Sequence, residues 1–272
     1  MEKPMEVPRS PEQSHEGMIA RASVGYSELD TLQLGALTTI SAIAVMVLSL
    51  LIAGVLFLPL GALFVCVALG VFAVIFTLVW RTLRHHGHAR FGGANIVTSA
   101  RAGMVSVIAG AVVSTEAIAS DPVSGWALFC LVVLAFALDG VDGYLARRQG
   151  LQSDFGARYD MEVDAFLILV LSLAAVLMGK LGYWVLLMGL MRYVFIAAAE
   201  VLPALKGELP PSFRRKLVCV VQIAVLCAIL LPIVSPAIAV VMAVPALAAL
   251  IYSFAVDSLY LQYHAKQVDG SR

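Results

Sequence analysis

The chain has 272 residues, 61% of them hydrophobic and only 13% charged, with a mean hydropathy of +0.94 and a formal net charge of zero. Soluble domains carry about 25% charged and about 45–50% apolar residues, so this composition excludes an ordinary soluble globule. The zero net charge identifies no class of partner, because the distribution of charge matters more than its sum.

Residues 1–31 are polar and mixed in charge, with Pro4, Pro8 and Pro11, and they predict a disordered cytoplasmic tail. No secretory signal is expected, since the first apolar run is too long and begins too late for a cleaved segment. From Thr31 to Trp80 no residue is charged. One helical crossing takes about 20 residues, so this run predicts two. "FLPLG" at 57–61 reads as the turn between spans over 33–56 and 60–80. A basic loop to residue 93 follows, in which His85, His86 and His88 sit among Arg81, Arg84 and Arg90. A solvated loop is the preferred reading there, ahead of a metal site.

Further spans are predicted over 95–117, 124–146, 157–179, 181–203, 214–233 and 236–258. They are separated by "SDPVSG" (120–125), "MGKLG" (178–182), "GELPPS" (207–212) and "VSP" (234–236), and a cytoplasmic tail over 259–272 ends the chain. The expected fold is therefore an all-α integral membrane protein with eight spans. Charge supports that count. In this layout Lys180 is the lone basic residue outside and Arg192 falls within a span, while the other 16 of 18 Lys and Arg lie in or beside cytoplasmic segments. Both termini are then cytoplasmic. The four cysteines, Cys66, Cys130, Cys219 and Cys227, lie in apolar runs without a C-x-x-C pair and read as small buried hydrophobes.

Against this background, residues 138–164, "LDGVDGYLARRQGLQSDFGARYDMEVD", hold six of the 18 acids. Asp139 and Asp142 are three apart near the end of one span, and Asp160 and Asp164 four apart at the start of the next. Both intervals place side chains on one helix face. Four converging carboxylates at a membrane edge cannot stay ionised and unpaired. Hard divalent cations with oxygen ligands resolve the repulsion, and four carboxylates suit two ions such as Mg²⁺ or Mn²⁺. Gly143 and Ala146 lie four and seven residues after Asp139, a stripe without bulk beside which an extended substrate fits. Arg147 adds a cation suited to a diphosphate.

The spacing D-x2-D-G-x2-A-R-x8-G-x3-D-x3-D is met in full by Asp139, Asp142, Gly143, Ala146, Arg147, Gly156, Asp160 and Asp164. It resembles the signature of the CDP-alcohol phosphotransferases, membrane enzymes of phospholipid synthesis. "ANIVTSAR" at 94–101 is similar to that family's P-N-x-x-T-x-x-R entry to its first core span, with Asn95, Thr98 and Arg101 in place and Ala94 where the proline stands. The resemblance covers a six-span core over 94–258 and leaves the two spans within 32–93 without a function.

The resemblance implies an enzyme that displaces CMP from a CDP-linked lipid, CDP-diacylglycerol, by attack of an acceptor alcohol on the β-phosphate. It implies that Asp139, Asp142, Asp160 and Asp164 bind two divalent ions, with Asp164 the general base. Gly143, Ala146, Arg147 and Gly156 would line the CDP site, with Asn95 and Thr98 adding polar contacts. It also implies an active site on the cytoplasmic face of a bacterial cell membrane, no nucleic-acid partner, and a homodimer as is common in the family.

The acceptor is read from basic residues. Arg192 within a span is expensive and points to function. Arg214, Arg215 and Lys216 open the next span, and together with Arg192 they suit a phosphorylated acceptor: glycerol 3-phosphate first, inositol phosphate second, with serine or another alcohol as alternatives. The competing readings are anchoring at the membrane edge for 214–216 and a salt bridge, with Glu200 in view, for Arg192. A transporter is the alternative class, but it expects broken helices and repeated halves, whereas here the acids gather at one edge and no internal repeat is visible. A non-catalytic scaffold would not need four intact aspartates.

Overall fold

A backbone in hydrocarbon has to satisfy its own N–H and C=O groups, so uncharged runs of this length fold as helices. The structure is a computed structural model describing residues 11–83, 90–149, 153–205, 207, 209, 210 and 212–270, with the side chains of 11–30, 119, 146, 147, 266 and 268–270 outside the description. The helices are α1 (Pro11–Phe57), α2 (Ala62–Thr82), α3 (Gly93–Val112), α4 (Thr115–Ser120), α5 (Pro122–Gln149), α6 (Asp154–Leu177), α7 (Leu186–Val201), α8 (Phe213–Leu230) and α9 (Pro236–Gly270). Short 3-10 turns at Tyr183–Val185 and Pro203–Leu205 bracket α7, and no strand occurs among the described residues.

Six segments are long and apolar enough to cross a membrane: Thr31–Phe57, Ala62–Thr82, Gly93–Val112, Pro122–Leu145, Tyr183–Val201 and Pro236–Ala265. They mark a multi-pass membrane protein. Helices α6 and α8 stand where two more spans were expected but carry charge: Asp160, Glu162 and Asp164 on one, Arg214, Arg215 and Lys216 on the other.

Several boundaries differ from expectation. Helix α1 takes in residues 11–30 of the expected tail: Pro11 occupies the first helical position, where its missing N–H costs nothing, and no proline follows until Pro59. The third expected span ends at Val112, not 117, and a break at 113–114 leads into α4. Helix α9 runs through the expected C-terminal tail to Gly270, since no proline or glycine interrupts it after residue 258. His85, His86 and His88 lie outside the described residues.

Helix α3 is the axis of the molecule, with α1, α2, α5 and α6 all packed against it. Its most apolar window is 83% buried, against 17–28% for the other five candidate spans. Protein therefore surrounds α3, whereas the others turn apolar faces such as Leu34, Val45, Leu56, Val74 and Val241 outward to lipid. The small residues of α3 (Ala102, Gly103, Ser106, Ala109, Gly110) let several helices approach at once. On the far side, α6 carries α7 and α8, and α8 packs on α9. The fully buried Gln222 ties α8 to α9 by donating to the Ala246 carbonyl at 2.6 Å.

Lys180, the isolated basic residue at the end of the bundle away from the acids, has a structural explanation. Gly179 adopts φ +67° and ends α6, a left-handed turn that glycine enters without steric cost. That turn delivers Lys180, whose Nζ donates to the carbonyls of Ile229 (2.8 Å) and Leu231 (2.5 Å) and so caps the C-terminus of α8. The cysteines depart from expectation: Cys66 and Cys130 are exposed, Cys219 is partly covered, and only Cys227 is buried.

Candidate active site

The carboxylates meet because three helices share one end of the bundle. Ser153 caps α6, its Oγ accepting from the Gly156 amide at 3.0 Å, which fixes where the helix begins and so where Asp160 and Asp164 fall along it. Gln149 at the end of α5 accepts from the Gly93 amide at 3.0 Å and so ties α5 to the start of α3. Between α5 and α6 comes Arg101 of α3, fully buried.

Arg101 is the hub. Its Nη1 lies 2.9 Å from Asp142 Oδ2 and 2.6 Å from Asp160 Oδ1, and its Nη2 lies 2.5 Å from Asp164 Oδ1 and 3.0 Å from Asp139 Oδ1. Nε donates to the Ala135 carbonyl at 3.1 Å. A guanidinium has five N–H donors in a fixed fork, and here Arg101 makes four hydrogen bonds, to Ala135, Asp142, Asp160 and Asp164, and an ion pair with Asp139. Each aspartate gives one oxygen to Arg101 and keeps the other. Asp142 Oδ2 also accepts from Thr98 Oγ1 at 3.1 Å, while its Oδ1 lies 2.7 Å from the Gly143 amide. Asp164 Oδ2 lies 3.5 Å from Cys219 Sγ.

Exposure grades across the cluster. The Arg101 side chain is 0% exposed, Asp142 4%, Asp164 14%, Asp139 23% and Asp160 37%. The guanidinium therefore forms the floor, and Asp139 and Asp160 the rim. One formal positive charge faces four negative ones, an excess that partial burial makes costly. Asp139, Asp142 and Asp160 each offer an oxygen within 4.8 Å of the others. Two ligands on one cation with bonds of about 2.0–2.6 Å stand no more than about 4–5 Å apart, so these three fit a hard divalent ion, and their all-oxygen chemistry suits Mg²⁺ or Mn²⁺. Asp164 falls outside that group of three.

The remaining expected residues divide. Asn95 and Thr98 do reach this end of the bundle. Thr98 holds Asp142, and a Cβ on Gly156 would stand 2.9 Å from Asn95 Oδ1, so the glycine leaves the space that Asn95 occupies. Gly143 is half-buried beside Asp142. Ala146 and Arg147 continue α5, but their side chains lie outside the described residues.

The expected acceptor residues are not gathered around one another. Arg192 Nη2 pairs with Glu162 Oε1 of α6 at 2.5 Å, so the competing salt-bridge reading holds with a partner from α6 in place of Glu200. Its Nε stays buried without a partner. Arg214 and Arg215 both go to Asp257 of α9, at 2.6 and 3.3 Å, with further bonds to the carbonyls of Ser253 and Pro210 respectively. Lys216 is exposed and has no ion-pair partner among the described residues.

Sequence reasoning noted Arg101 in its motif but left it out of the site, and it missed Glu162, Cys219 and Asp257. For Arg101 a signal existed: an arginine two turns into a predicted span has to find anions or reach water. For Cys219 there was none, because a thiol in an apolar run looks the same whichever way it faces.

Residues 91–253 match the family model described as CDP-alcohol phosphatidyltransferase. Two relatives, from Mycobacterium tuberculosis strains CDC 1551 / Oshkosh and ATCC 25618 / H37Rv, are each named "Probable phosphatidylglycerophosphate synthase". Each is 32% identical over 152 residues, which span 55% of this chain and 71% of the relative. No solved structure matches.

Proposed function

This chain belongs to the CDP-alcohol phosphatidyltransferase family, and we propose that it transfers a phosphatidyl group from CDP-diacylglycerol to glycerol 3-phosphate, releasing CMP. The observation that carries this reading is the convergence of all four motif aspartates on Arg101. The acceptor rests on narrower support: the name of the two relatives, and the unpartnered buried Nε of Arg192, a donor suited to a phosphate.

Asp139, Asp142 and Asp160 would hold divalent ions through carboxylate oxygens that lie within 4.8 Å of one another. Ions bound there supply Lewis acidity that offsets charge on the diphosphate as CMP leaves. Asp164, outside the group of three, receives the proton of the acceptor hydroxyl at Oδ2, the oxygen not engaged by Arg101. The acceptor oxygen bonds to the β-phosphorus, and the bond from that phosphorus to the bridging oxygen breaks, its electron pair departing with CMP. Arg101 keeps the carboxylates in register, and Thr98 holds Asp142 within that register. Gly143, Ala146, Arg147, Gly156 and Asn95 form the CDP side of the site; Arg192, aided by Arg214, Arg215 and Lys216, forms the acceptor side.

The same reading sets the topology. All eight long helices cross the membrane, with α6 and α8 presenting their charged ends to the cytoplasmic face of a bacterial cell membrane. The catalytic core is 94–258, close to the matched 91–253, and the first two spans are an addition to it.

An acceptor panel tests the proposal. Purified protein with CDP-diacylglycerol and Mg²⁺ is offered glycerol 3-phosphate, inositol phosphate, serine and glycerol, and lipid products are identified by mass. Phosphatidylglycerophosphate as the main product supports the reading; preference for an unphosphorylated acceptor overturns its acceptor half.

A further inference from the structure

Helices α1 and α2 precede the matched family region and contribute nothing to the proposed chemistry, yet both seat on the helix that carries Arg101. Where they seat is informative. At about 100° per residue, Gly103 lies about 200° and Gly110 about 180° around α3 from Arg101, on the face turned away from the carboxylates. A Cβ built on Gly103 would stand 2.6 Å from Ile43 Cγ2 and 3.1 Å from Val47 Cγ2 of α1. One built on Gly110 would stand 2.5 Å from the Phe64 carbonyl oxygen and 2.8 Å from Ala68 Cβ of α2. Carbon atoms ordinarily pack at about 3.5–4.0 Å, so the two helices touch α3 only because side chains are absent there.

The brace is closed on itself as well. The Phe64 ring also occupies the place of a Cβ on Gly54 of α1, 2.7 Å from Cε1, so one buried ring is wedged between α1 and α3. Ile43, Val47, Phe64 and Ala68 are all buried. On the opposite face, Arg101 makes four hydrogen bonds and one ion pair to two helices at 2.5–3.1 Å. A displacement of α3 by the thickness of a methyl group would lengthen some of those contacts and compress others. Lipid behind α3 would offer no fixed stop; packed side chains do.

We propose that α1 and α2 are a brace that sets the depth at which Arg101 enters the aspartate cluster, with Gly103, Gly110, Ile43 and Phe64 as positioning residues for phosphatidyl transfer. The inference rests on the transfer reading above, and its test separates the two.

Full-length protein is purified as wild type, Gly103→Ala, Gly110→Ala and the control Gly70→Ala, whose Cβ would meet nothing within 4 Å. Misplacing a catalytic constellation by about 1 Å can cost about a hundredfold, so kcat in the two α3 variants should fall at least about tenfold while the control stays unchanged. Mn²⁺ affinity, read by electron paramagnetic resonance without turnover, should change in the same two variants. Adding Ile43→Ala to Gly103→Ala removes the clashing Cγ2 and should restore both readouts. If the α3 variants do not fold, Phe64→Ala, which loosens the brace without crowding α3, should give the same double loss. Wild-type kcat and Mn²⁺ affinity in the α3 variants, or in Phe64→Ala, would overturn the brace, and so would failure of Ile43→Ala to rescue. If wild type itself releases no CMP, the transfer reading fails, and the Mn²⁺ affinities alone decide the brace.

Discussion

Arg101 Nη2 donates to Asp164 Oδ1 at 2.5 Å and leaves Asp164 Oδ2 facing Cys219 instead of the guanidinium. That division of one carboxylate recurs in the other three aspartates, each giving a single oxygen to the same arginine. The cluster therefore has two layers: a guanidinium floor built into the protein, and carboxylates above it whose exposure rises from Asp142 to Asp160.

The first prediction concerns that floor. Arg101→Gln leaves four partly buried carboxylates without their cation, and breaking a buried ion pair from one side costs about 3–5 kcal/mol. The melting temperature in metal-free buffer should fall well below that of wild type. Added Mg²⁺ should raise it more in the variant than in wild type, because the ion then supplies the missing positive charge. Equal Mg²⁺-dependent shifts in the two proteins would mean that cation and guanidinium do not serve the same acids.

The second concerns the nucleotide side. A methyl on Gly156 would stand 2.9 Å from Asn95 Oδ1 and 3.2 Å from Ser153 Oγ, so Gly156→Ala has to push Asn95 aside or loosen the cap of α6. Overpacking of this kind costs about 1–3 kcal/mol. The KM for CDP-diacylglycerol should rise about tenfold, equivalent to about 1.4 kcal/mol, with the acceptor KM little changed. A donor KM equal to that of wild type would remove Gly156 and Asn95 from the CDP site.

The third concerns Arg192, held by Glu162 yet with Nε unpartnered. Hydrogen bonds to charged groups are worth about 1.5–3 kcal/mol, so Arg192→Gln should raise the KM for glycerol 3-phosphate about tenfold or more. Glu162→Gln should lower that KM or leave it unchanged, since it frees the guanidinium from a competitor. Equal increases in both variants would make the pair structural.

What the sequence made legible follows its periodicities. Apolar runs and turn chemistry located the long helices, because in lipid length and apolarity suffice to specify one, but not the extensions of α1 and α9 into the expected tails. The three- and four-residue spacing of the aspartates placed each pair on a face, and the structure brings the faces together. What stayed hidden was pairing between distant segments. Arg101 meets acids 38 to 63 residues away, Arg192 meets Glu162 30 residues back, and Arg214 meets Asp257 43 residues on. No local period encodes those partners; they depend on which helices become neighbours. The seats at Gly103 and Gly110 were hidden for the same reason, since a glycine in a span shows its purpose only when the helix filling its groove is known.

The most direct measurement is CMP release from CDP-diacylglycerol with glycerol 3-phosphate, in wild type and in the single variants Asp139→Asn, Asp142→Asn, Asp160→Asn and Asp164→Asn. If the cluster is the transfer centre, wild type releases CMP with Mg²⁺ or Mn²⁺ and stops in excess chelator. Each folded variant then loses activity by about a hundredfold or more, as expected for groups acting on the reacting atoms. CMP release that persists undiminished in chelator, or in a folded Asp164→Asn protein, would contradict it.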